Sequence, residues 1–266
     1  GKQGGRHTLP QDQINTLIVE RAKEGKIIAR LKGGDPFIFG RGGEKAEELV
    51  NNGIPFEVVP GVTAATAVPT YAGIPLTHRD QTASVAFVTG HEDPTKPESN
   101  LHWKELATGI GTLVFFMGMK NLQNIVENLV QHGRSEDTPI ALIQWGTRTD
   151  QKVVTGTLKD IAPKVKEAKL GPPAIIVVGE VVTLRNKLNW FESKPLFGKR
   201  VVVTRSRDQA SVFAEALIDR GATPIEFPSI DVVPPQSWAE LDAALDIAFR
   251  ERRARNVSLV VFPDNA

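Results

Sequence analysis

The stretch at residues 31–44, LKGGDPFIFGRGGE, decides the fold of this chain. It begins where the apolar segment 26–31, which predicts a β-strand, ends. Two consecutive glycines, Gly33 and Gly34, lack Cβ atoms, so the backbone there can turn sharply or lie against a ligand. Asp35 then places a carboxylate at the carboxyl end of the predicted strand, where open α/β sheets bind their ligands. The stretch therefore predicts a strand, a ligand-binding loop and a following helix.

Length and composition bound the class of protein. A chain of 266 residues has room for about two domains. Its net charge of +1 creates no field that would attract nucleic acid or an anionic membrane surface, so neither is expected as a partner. The absence of cysteine excludes disulfides, thiolate catalysis and thiolate metal sites. Because the sequence lacks both a membrane-spanning apolar run and the apolar core of a signal peptide, we expect a cytoplasmic protein.

Alternating apolar runs and amphipathic stretches predict an α/β layer architecture. Short apolar runs that suit strands buried on both faces occupy residues 84–89, 112–117, 139–145 and 174–178, and a further strand is predicted at 56–59. Residues 151–156 predict an edge hairpin strand. Predicted helices cover residues 11–23, 44–51, 63–72, 121–131 and 158–168.

A third unit is predicted after a break in this rhythm. Residues 184–197 have the irregular pattern of a connector, and Gly198 opens a new alternation. Strands are predicted there at 199–204, 224–227 and 257–262, with helices at 208–220 and 237–253. A strand–helix series that stops at its third strand predicts a partial lobe.

Six motifs in order carry a resemblance to a known family. They are GGDPFIFGRGGE, residues 58–80 (VVPGVTAATAVPTYAGIPLTHRD), TGH at 89–91, LVFFMGM at 113–119, QWGT at 144–147 and PPAIIVVGEVV at 172–182. Together they resemble the S-adenosylmethionine-dependent tetrapyrrole methyltransferases, and above all the branch that methylates uroporphyrinogen III. The resemblance implies the two-domain tetrapyrrole-methylase fold, with its N-terminal part incomplete. Residues 1–80 would be the remainder of the first α/β domain and residues 81–193 the second.

The third unit carries a resemblance to a second family of enzymes. Residues 198–235 are similar to the first lobe of uroporphyrinogen-III synthases. Residues 194–266 are therefore expected to form a partial parallel α/β lobe. The resemblance implies a chain truncated at both ends, whose synthase activity is absent because the second lobe is missing.

The resemblance also implies the site residues. The methyl donor, S-adenosylmethionine, would be held by Gly33, Gly34, Asp35, Ile38, Thr63, Ala64, Met117, Gly146 and Ala174. Lys2 aligns with a proposed proton donor. Local cations for a carboxylate-rich tetrapyrrole would come from Arg41, His78, Arg79 and His91. No metal is required, and a homodimer is implied.

The sequence also allows purely structural roles for these residues. Asp35 could merely cap a turn, Met117 could be a core methionine, and Lys2 could be a solvated terminal lysine. The arginines could form surface ion pairs. The expected function is C-methylation of uroporphyrinogen III at C2 and C7 to precorrin-2, for sirohaem or cobalamin. Its alternatives are a sister precorrin methyltransferase and a non-catalytic fragment that binds the donor.

Overall fold

A five-stranded mixed sheet forms the centre of the larger of two compact units. The computed structural model describes residues 11–90, 101–205, 207–229 and 236–255. The first unit runs to Arg200 and includes Leu217–Thr223, and the second comprises Val201–Ala216 and the chain from Pro224 onward. The strands of the central sheet are β1 (Val85–Thr89), β2 (Thr112–Phe116), β3 (Pro139–Gln144), β4 (Lys152–Thr157) and β5 (Ala174–Val178).

The strand order of this sheet is β1-β2-β5-β3-β4. Strands β1 and β2 run parallel, whereas β5 is antiparallel to both β2 and β3, and β3 is antiparallel to β4. The hairpin partner β4 lies at the edge of the sheet, as predicted. Because β5 reverses direction, the carboxyl ends of β1, β2 and β3 and the amino end of β5 share one edge.

Both faces of the sheet are buried, which explains the uninterrupted apolar runs in the sequence. Leu113 and Phe115 of β2 pack on one face, while Val114 between them packs on the other. The helices of the first unit are α1 (Gln11–Lys23), α2 (Gly42–Asn51), α3 (Ala64–Tyr71), α4 (Trp103–Gly109), α5 (Leu122–Gln131), α6 (Ile161–Glu167) and α7 (Arg185–Leu188). Helix α5 covers the first face and α3 the second. Helix α4 was not predicted.

The predictions of strands at 26–31 and 56–59 are wrong. The structure assigns neither segment to a strand, and neither has a ladder partner among the described residues. Ile27 is fully exposed and Val59 is 81% exposed. Apolar, branched side chains favour the strand conformation, but a strand exists only where a neighbouring backbone accepts and donates its hydrogen bonds.

The predicted connector at 184–197 is instead packed into the first unit. It begins with the end of a 3₁₀ helix, Glu180–Leu184, and continues through α7. Phe191 is buried, with its ring against those of Tyr71 and Phe197. The irregular composition thus marks a segment of short turns rather than a free linker.

From Arg200 onward, the described part of the chain contains a small sheet and two helices, most of whose residues belong to the second unit. The sheet pairs β6 (Arg200–Val203) with β7 (Thr223–Glu226), and the helices are α8 (Arg207–Asp219) and α9 (Ala239–Arg255). The Ser237 hydroxyl, predicted as the cap of α9, accepts a hydrogen bond at 3.1 Å from the N–H of Ala239, the first residue of that helix. The strand predicted at 257–262 lies outside the described residues.

Candidate functional site

The glycine-rich loop closes on itself through backbone contacts that leave no room for side chains. The Gly42 N–H donates to the Pro36 carbonyl at 2.9 Å. A Cβ at Gly40 or at Gly42 would stand 2.4 Å from that same oxygen. Around Gly33, by contrast, no atom of the described residues lies within 4 Å of where a Cβ would be. The loop is therefore tightly closed at Gly40–Gly42 and open at Gly33.

Asp35 fastens this loop to a second one. Its Oδ1 accepts the Phe37 N–H at 2.8 Å, and its Oδ2 accepts the Gly61 N–H at 3.1 Å. These two donors, that of Gly61 first, hold the pKa of the Asp35 carboxyl below its ordinary value. Asp35 thus does cap a turn, and each of its oxygens still has a lone pair to offer a ligand.

The second loop leads into α3, whose first residues were predicted to line the same site. Thr63 is the N-cap of α3, buried to 7% exposure, and its hydroxyl accepts the Ala65 N–H at 3.4 Å. A Cβ at Gly34 would lie 3.5 Å from the Val62 carbonyl and 3.9 Å from the Thr63 Cα. The segments Gly33–Asp35 and Thr63–Ala64, which are far apart in sequence, therefore lie side by side.

The remaining predicted donor contacts gather at the shared strand edge. Ala174 pairs with Gln144, two residues before Gly146. Met117 directly follows β2, whose pairing with β5 runs to Phe115 opposite Ile176, two residues from Ala174. Phe39 brings the glycine loop to this edge, because its ring centroid lies 5.0 Å from that of Phe116. Ile38, its neighbour, is half-buried.

Left-handed backbone is concentrated around this edge. Among the described residues, six that are not glycine have positive φ, and five of them flank the site: Phe39, Arg41, Met117, Trp145 and Thr147. Bulky residues in this conformation are uncommon and cluster at functional sites. Met117 is 53% exposed, so the reading as a core methionine is wrong. Sequence reasoning missed Phe39 and Trp145, since neither residue type signals a left-handed backbone.

The predicted cations do not all come together. Arg41 forms an exposed ion pair with Glu44, whose carboxyl pKa it lowers, with 2.7 Å between Nη2 and Oε2. Arg41 follows Phe39 and so belongs to the glycine loop beside the strand edge. His78 and Arg79 lie in a turn closed by the Thr82 N–H to His78 carbonyl bond of 2.9 Å.

That turn lies at the other end of β1 and β2. The Gly111 N–H, just before β2, donates to the Ser84 hydroxyl at 2.9 Å, and Thr82 contacts the same place. His78 and Arg79 are therefore near the amino ends of these strands, away from Met117. Lys2 and His91 lie outside the described residues.

A test of the strand edge uses the contact between Gly146 and α3. A Cβ at Gly146 would stand 2.5 Å from a methyl group of buried Val68. Gly146→Ala is expected to lower the free energy of unfolding by about 1–3 kcal/mol, the usual cost of overpacking. In the Val68→Ala background the same change is expected to cost much less, as urea unfolding of all four proteins would show. Equal costs in both backgrounds would contradict the contact.

The glycine loop, the capped helix and the strand ends meet at one edge and form the candidate site of this α/β protein. Its sequence matches the family model described as Tetrapyrrole (Corrin/Porphyrin) Methylases over residues 1–162. The chain belongs to this family.

Two relatives and one solved structure show how far the similarity extends. The chain is 57% identical over 188 residues to the S-adenosyl-L-methionine-dependent uroporphyrinogen III methyltransferase of Methanosarcina barkeri, covering 71% of this chain and 74% of that protein. It is 43% identical over 258 residues to the uroporphyrinogen-III C-methyltransferase of Bacillus subtilis, covering 96% of this chain and 53% of that protein. The uroporphyrin-III C-methyl transferase of Thermus thermophilus, complexed with S-adenyl homocysteine, aligns with a TM-score of 0.56 at 34% identity, covering 65% of this chain and 75% of that one.

The chain spans about half the length of the Bacillus relative, and that match continues through most of the second unit. Within the described residues, no helix is both long and apolar enough to cross a bilayer. The same part of the chain contains no group of three or more His, Cys, Asp or Glu residues placed to hold a metal ion.

Proposed function

We propose that this chain transfers methyl groups from S-adenosylmethionine to C2 and C7 of uroporphyrinogen III, giving precorrin-2 for sirohaem or cobalamin. The observation that carries the proposal is the convergence of three separate segments, Gly33–Asp35, Thr63–Ala64 and the Met117–Ala174 strand edge. Relatives whose names state this chemistry support it, one of them at 57% identity.

The residues at this edge fit the methyl donor. The backbone at Gly33 is open on the side where its Cβ would be, so a flat nucleoside can approach it closely. Asp35 is held in a fixed orientation and kept ionised, which suits it to accept hydrogen bonds from ligand hydroxyl or amino groups. Ile38, Ala64 and Ala174 provide small or apolar surface. Bound there, S-adenosylmethionine supplies an electrophilic methyl group.

The chain's own contribution to the reaction is orientation. The nucleophile is a pyrrole carbon of the substrate. This carbon must lie in line with the bond between the methyl group and the sulfur of the donor. Exposed Met117 and Trp145 at the strand edge offer apolar surface for a tetrapyrrole ring, and Arg41 offers a cation to its carboxylates. Holding two reactants in line supplies a large part of a transfer enzyme's rate, without a metal ion.

Further members of the site are proposed from the family resemblance. Lys2 would donate a proton to the substrate, and His91 would add to the cations that bind its carboxylates. His78 and Arg79 would serve substrate carboxylates from the other end of β1 and β2. We also propose a homodimer in the cytoplasm, with methyltransferase domains at 1–80 and 81–193.

Turnover on uroporphyrinogen III tests the main proposal. Purified protein, supplied anaerobically with uroporphyrinogen III and methyl-labelled donor, is expected to give a product that carries two new methyl groups. Turnover only on a later, already methylated precorrin would favour a sister methyltransferase. Binding of S-adenosylhomocysteine without any turnover would favour a non-catalytic donor-binding fragment.

We propose further that residues 194–266 are the first lobe of a synthase-like domain, and that this lobe alone is not sufficient for synthase activity. The support is the resemblance at 198–235 and the strand–helix–strand order of β6, α8 and β7. Purified protein limited to residues 1–266 and free of contaminating synthase is expected to leave hydroxymethylbilane unconverted, because the family's ring closure uses two lobes around the substrate. Measurable formation of uroporphyrinogen III would overturn this part of the proposal.

A further inference from the structure

A buried polar network lies behind the strand edge, and none of its members was predicted from the sequence. Gln151 is only 5% exposed. Its Oε1 accepts the Thr147 N–H at 3.0 Å, and its Nε2 donates to Glu192 Oε1 at 2.8 Å and to the Tyr71 carbonyl at 3.3 Å. Every polar atom of this amide therefore has a partner, as buried polar groups require.

Glu192 continues the network to a buried cation. Its other oxygen, Oε2, lies 2.6 Å from Arg185 Nη2, and the two side chains are only 18% and 14% exposed. Arg185 Nη1 in turn donates to the Ala72 carbonyl at 2.6 Å. An ion pair shielded in this way is costly to break, because a single remaining charge would be left buried.

The network holds the carboxyl end of α3. The last carbonyls of a helix have no partner within the helix. At α3, the Tyr71 and Ala72 carbonyls accept from Gln151 and Arg185, and the Thr70 carbonyl accepts from Trp190 Nε1 at 3.0 Å. The amino end of the same short helix carries Thr63 and Ala64, which are part of the proposed donor site.

The network also holds the turn that ends β3. The Arg148 N–H donates to the Trp145 carbonyl at 3.2 Å, and the Gln151 N–H donates to the Arg148 carbonyl at 3.0 Å. Thr147, whose N–H donates to Gln151, has a left-handed φ of 72°. Gly146 in the middle of this turn lies directly against Val68 of α3.

We infer that Gln151 is a positioning residue for the methyl-donor site: it ties the turn at Trp145–Thr147 to α3 and thereby sets the distance between the two walls that hold the donor. This inference rests on the proposed function, because it needs the donor to lie between Gly146 and Thr63–Ala64. It gives Gln151 no contact with the donor or the substrate.

Two substitutions separate positioning from simple loss of stability. Gln151→Leu removes the acceptor of the Thr147 N–H and one of the donors to Glu192. Gln151→Glu keeps an acceptor for the Thr147 N–H but puts two carboxylates within hydrogen-bond distance, and such a pair shares one proton at low pH. Arg185 faces this pair directly, whereas Arg148 and Asp150 pair with each other on the exposed side of the turn.

The matched control is Gln123→Glu, because Gln123 donates to Glu127 at the same 2.8 Å on the exposed face of α5.

The experiment measures the dissociation constant of S-adenosylhomocysteine by calorimetry at pH 5.5 and at pH 8.5, far below each variant's unfolding temperature. Gln151→Leu is expected to weaken binding about tenfold at both pH values, the effect of roughly one lost hydrogen bond. Gln151→Glu is expected to bind nearly as wild type at pH 5.5 and about tenfold more weakly at pH 8.5. Gln123→Glu should match wild type throughout. In turnover assays, the KM for the donor should rise in Gln151→Leu, while the KM for the tetrapyrrole stays unchanged.

The outcomes distinguish this inference from the function on which it rests. If wild-type protein fails to bind S-adenosylhomocysteine, the donor site itself is wrong and the inference falls with it. If wild type binds and both Gln151 variants bind equally well without pH dependence, only the positioning role is overturned. Should Gln151→Leu fail to fold, the pH dependence of Gln151→Glu still decides the question.

Discussion

Gly34→Val is expected to abolish binding of S-adenosylhomocysteine while the protein stays folded. Gly34 lies beside Thr63 and directly follows Gly33, the open glycine of the proposed donor position. Because a Cβ there would meet only ordinary contacts at 3.5 and 3.9 Å, the chain itself can accept a side chain. The branches of valine would instead occupy the space that the nucleoside needs.

The measurement is calorimetric titration with S-adenosylhomocysteine, together with thermal unfolding. We expect an affinity loss of more than about 100-fold and a change in unfolding free energy within about 0.5 kcal/mol, as for exposed substitutions without special contacts. Gly34→Ala should fall between wild type and Gly34→Val. Gly43→Val is the matched control, because a side chain at Gly43 also meets no close contact among the described residues, but Gly43 lies in the first turn of α2 and outside the Gly33–Asp35 segment. A folded Gly34→Val protein with undiminished affinity would sink the assignment of this loop to the donor.

The sequence predicted β2, β3 and β5 well because these central strands are buried on both faces. Such strands carry unbroken apolar runs, and the run at residues 174–178 matches β5 residue for residue. The same reasoning failed at 26–31 and 56–59, where apolar runs occur without a partner strand among the described residues. Hydrophobicity marks a segment that can be buried, whereas a strand also requires hydrogen bonds from a neighbour that one-dimensional reasoning cannot place.

The residue types of the candidate site were predicted from the sequence, but its backbone geometry was not. Gly33, Gly34 and Asp35 stand out in sequence because their residue types are themselves the signal. The left-handed backbone at Phe39, Met117 and Trp145 has no such signal, since these residues rarely adopt it and are forced into it by their surroundings. No sequence pattern predicts the network of Gln151, Arg185 and Glu192 either, because its members come together only after the sheet and α3 have packed.

Electrostatics at the site is local. With a net charge of only +1, the chain has no global field to attract a substrate rich in carboxylates. Arg41 is held beside the strand edge by the closed glycine loop, where Lys45 Nζ also donates to the Arg41 carbonyl at 2.9 Å. Its pair with Glu44 is exposed, with side chains 53% and 52% accessible, so the guanidinium can still meet an anion from solvent.

Arg41→Ala is therefore expected to raise the KM for uroporphyrinogen III by about 10- to 150-fold, the effect of losing one charge-assisted contact of about 1.5–3 kcal/mol. Donor affinity should not change, because Arg41 lies on the substrate side of the loop in this proposal. Arg41→Lys should be intermediate, since lysine keeps the charge but loses the two-pronged geometry. Added salt should raise the KM of wild type more steeply than that of Arg41→Ala, because screening weakens an attraction that the variant no longer has.

Substitutions of two further arginines show whether the change in KM is specific to Arg41. Arg21→Ala is the matched control, because Arg21 pairs with Glu24 at the same three-residue spacing and similar exposure, but on α1. Its KM for both substrates should equal that of wild type. Arg79→Ala tests the other end of β1 and β2, and a raised KM there would show that the tetrapyrrole also draws on that turn, as proposed. If Arg41→Ala and Arg79→Ala both keep the wild-type KM for uroporphyrinogen III, the cations that bind the carboxylates lie elsewhere on the chain.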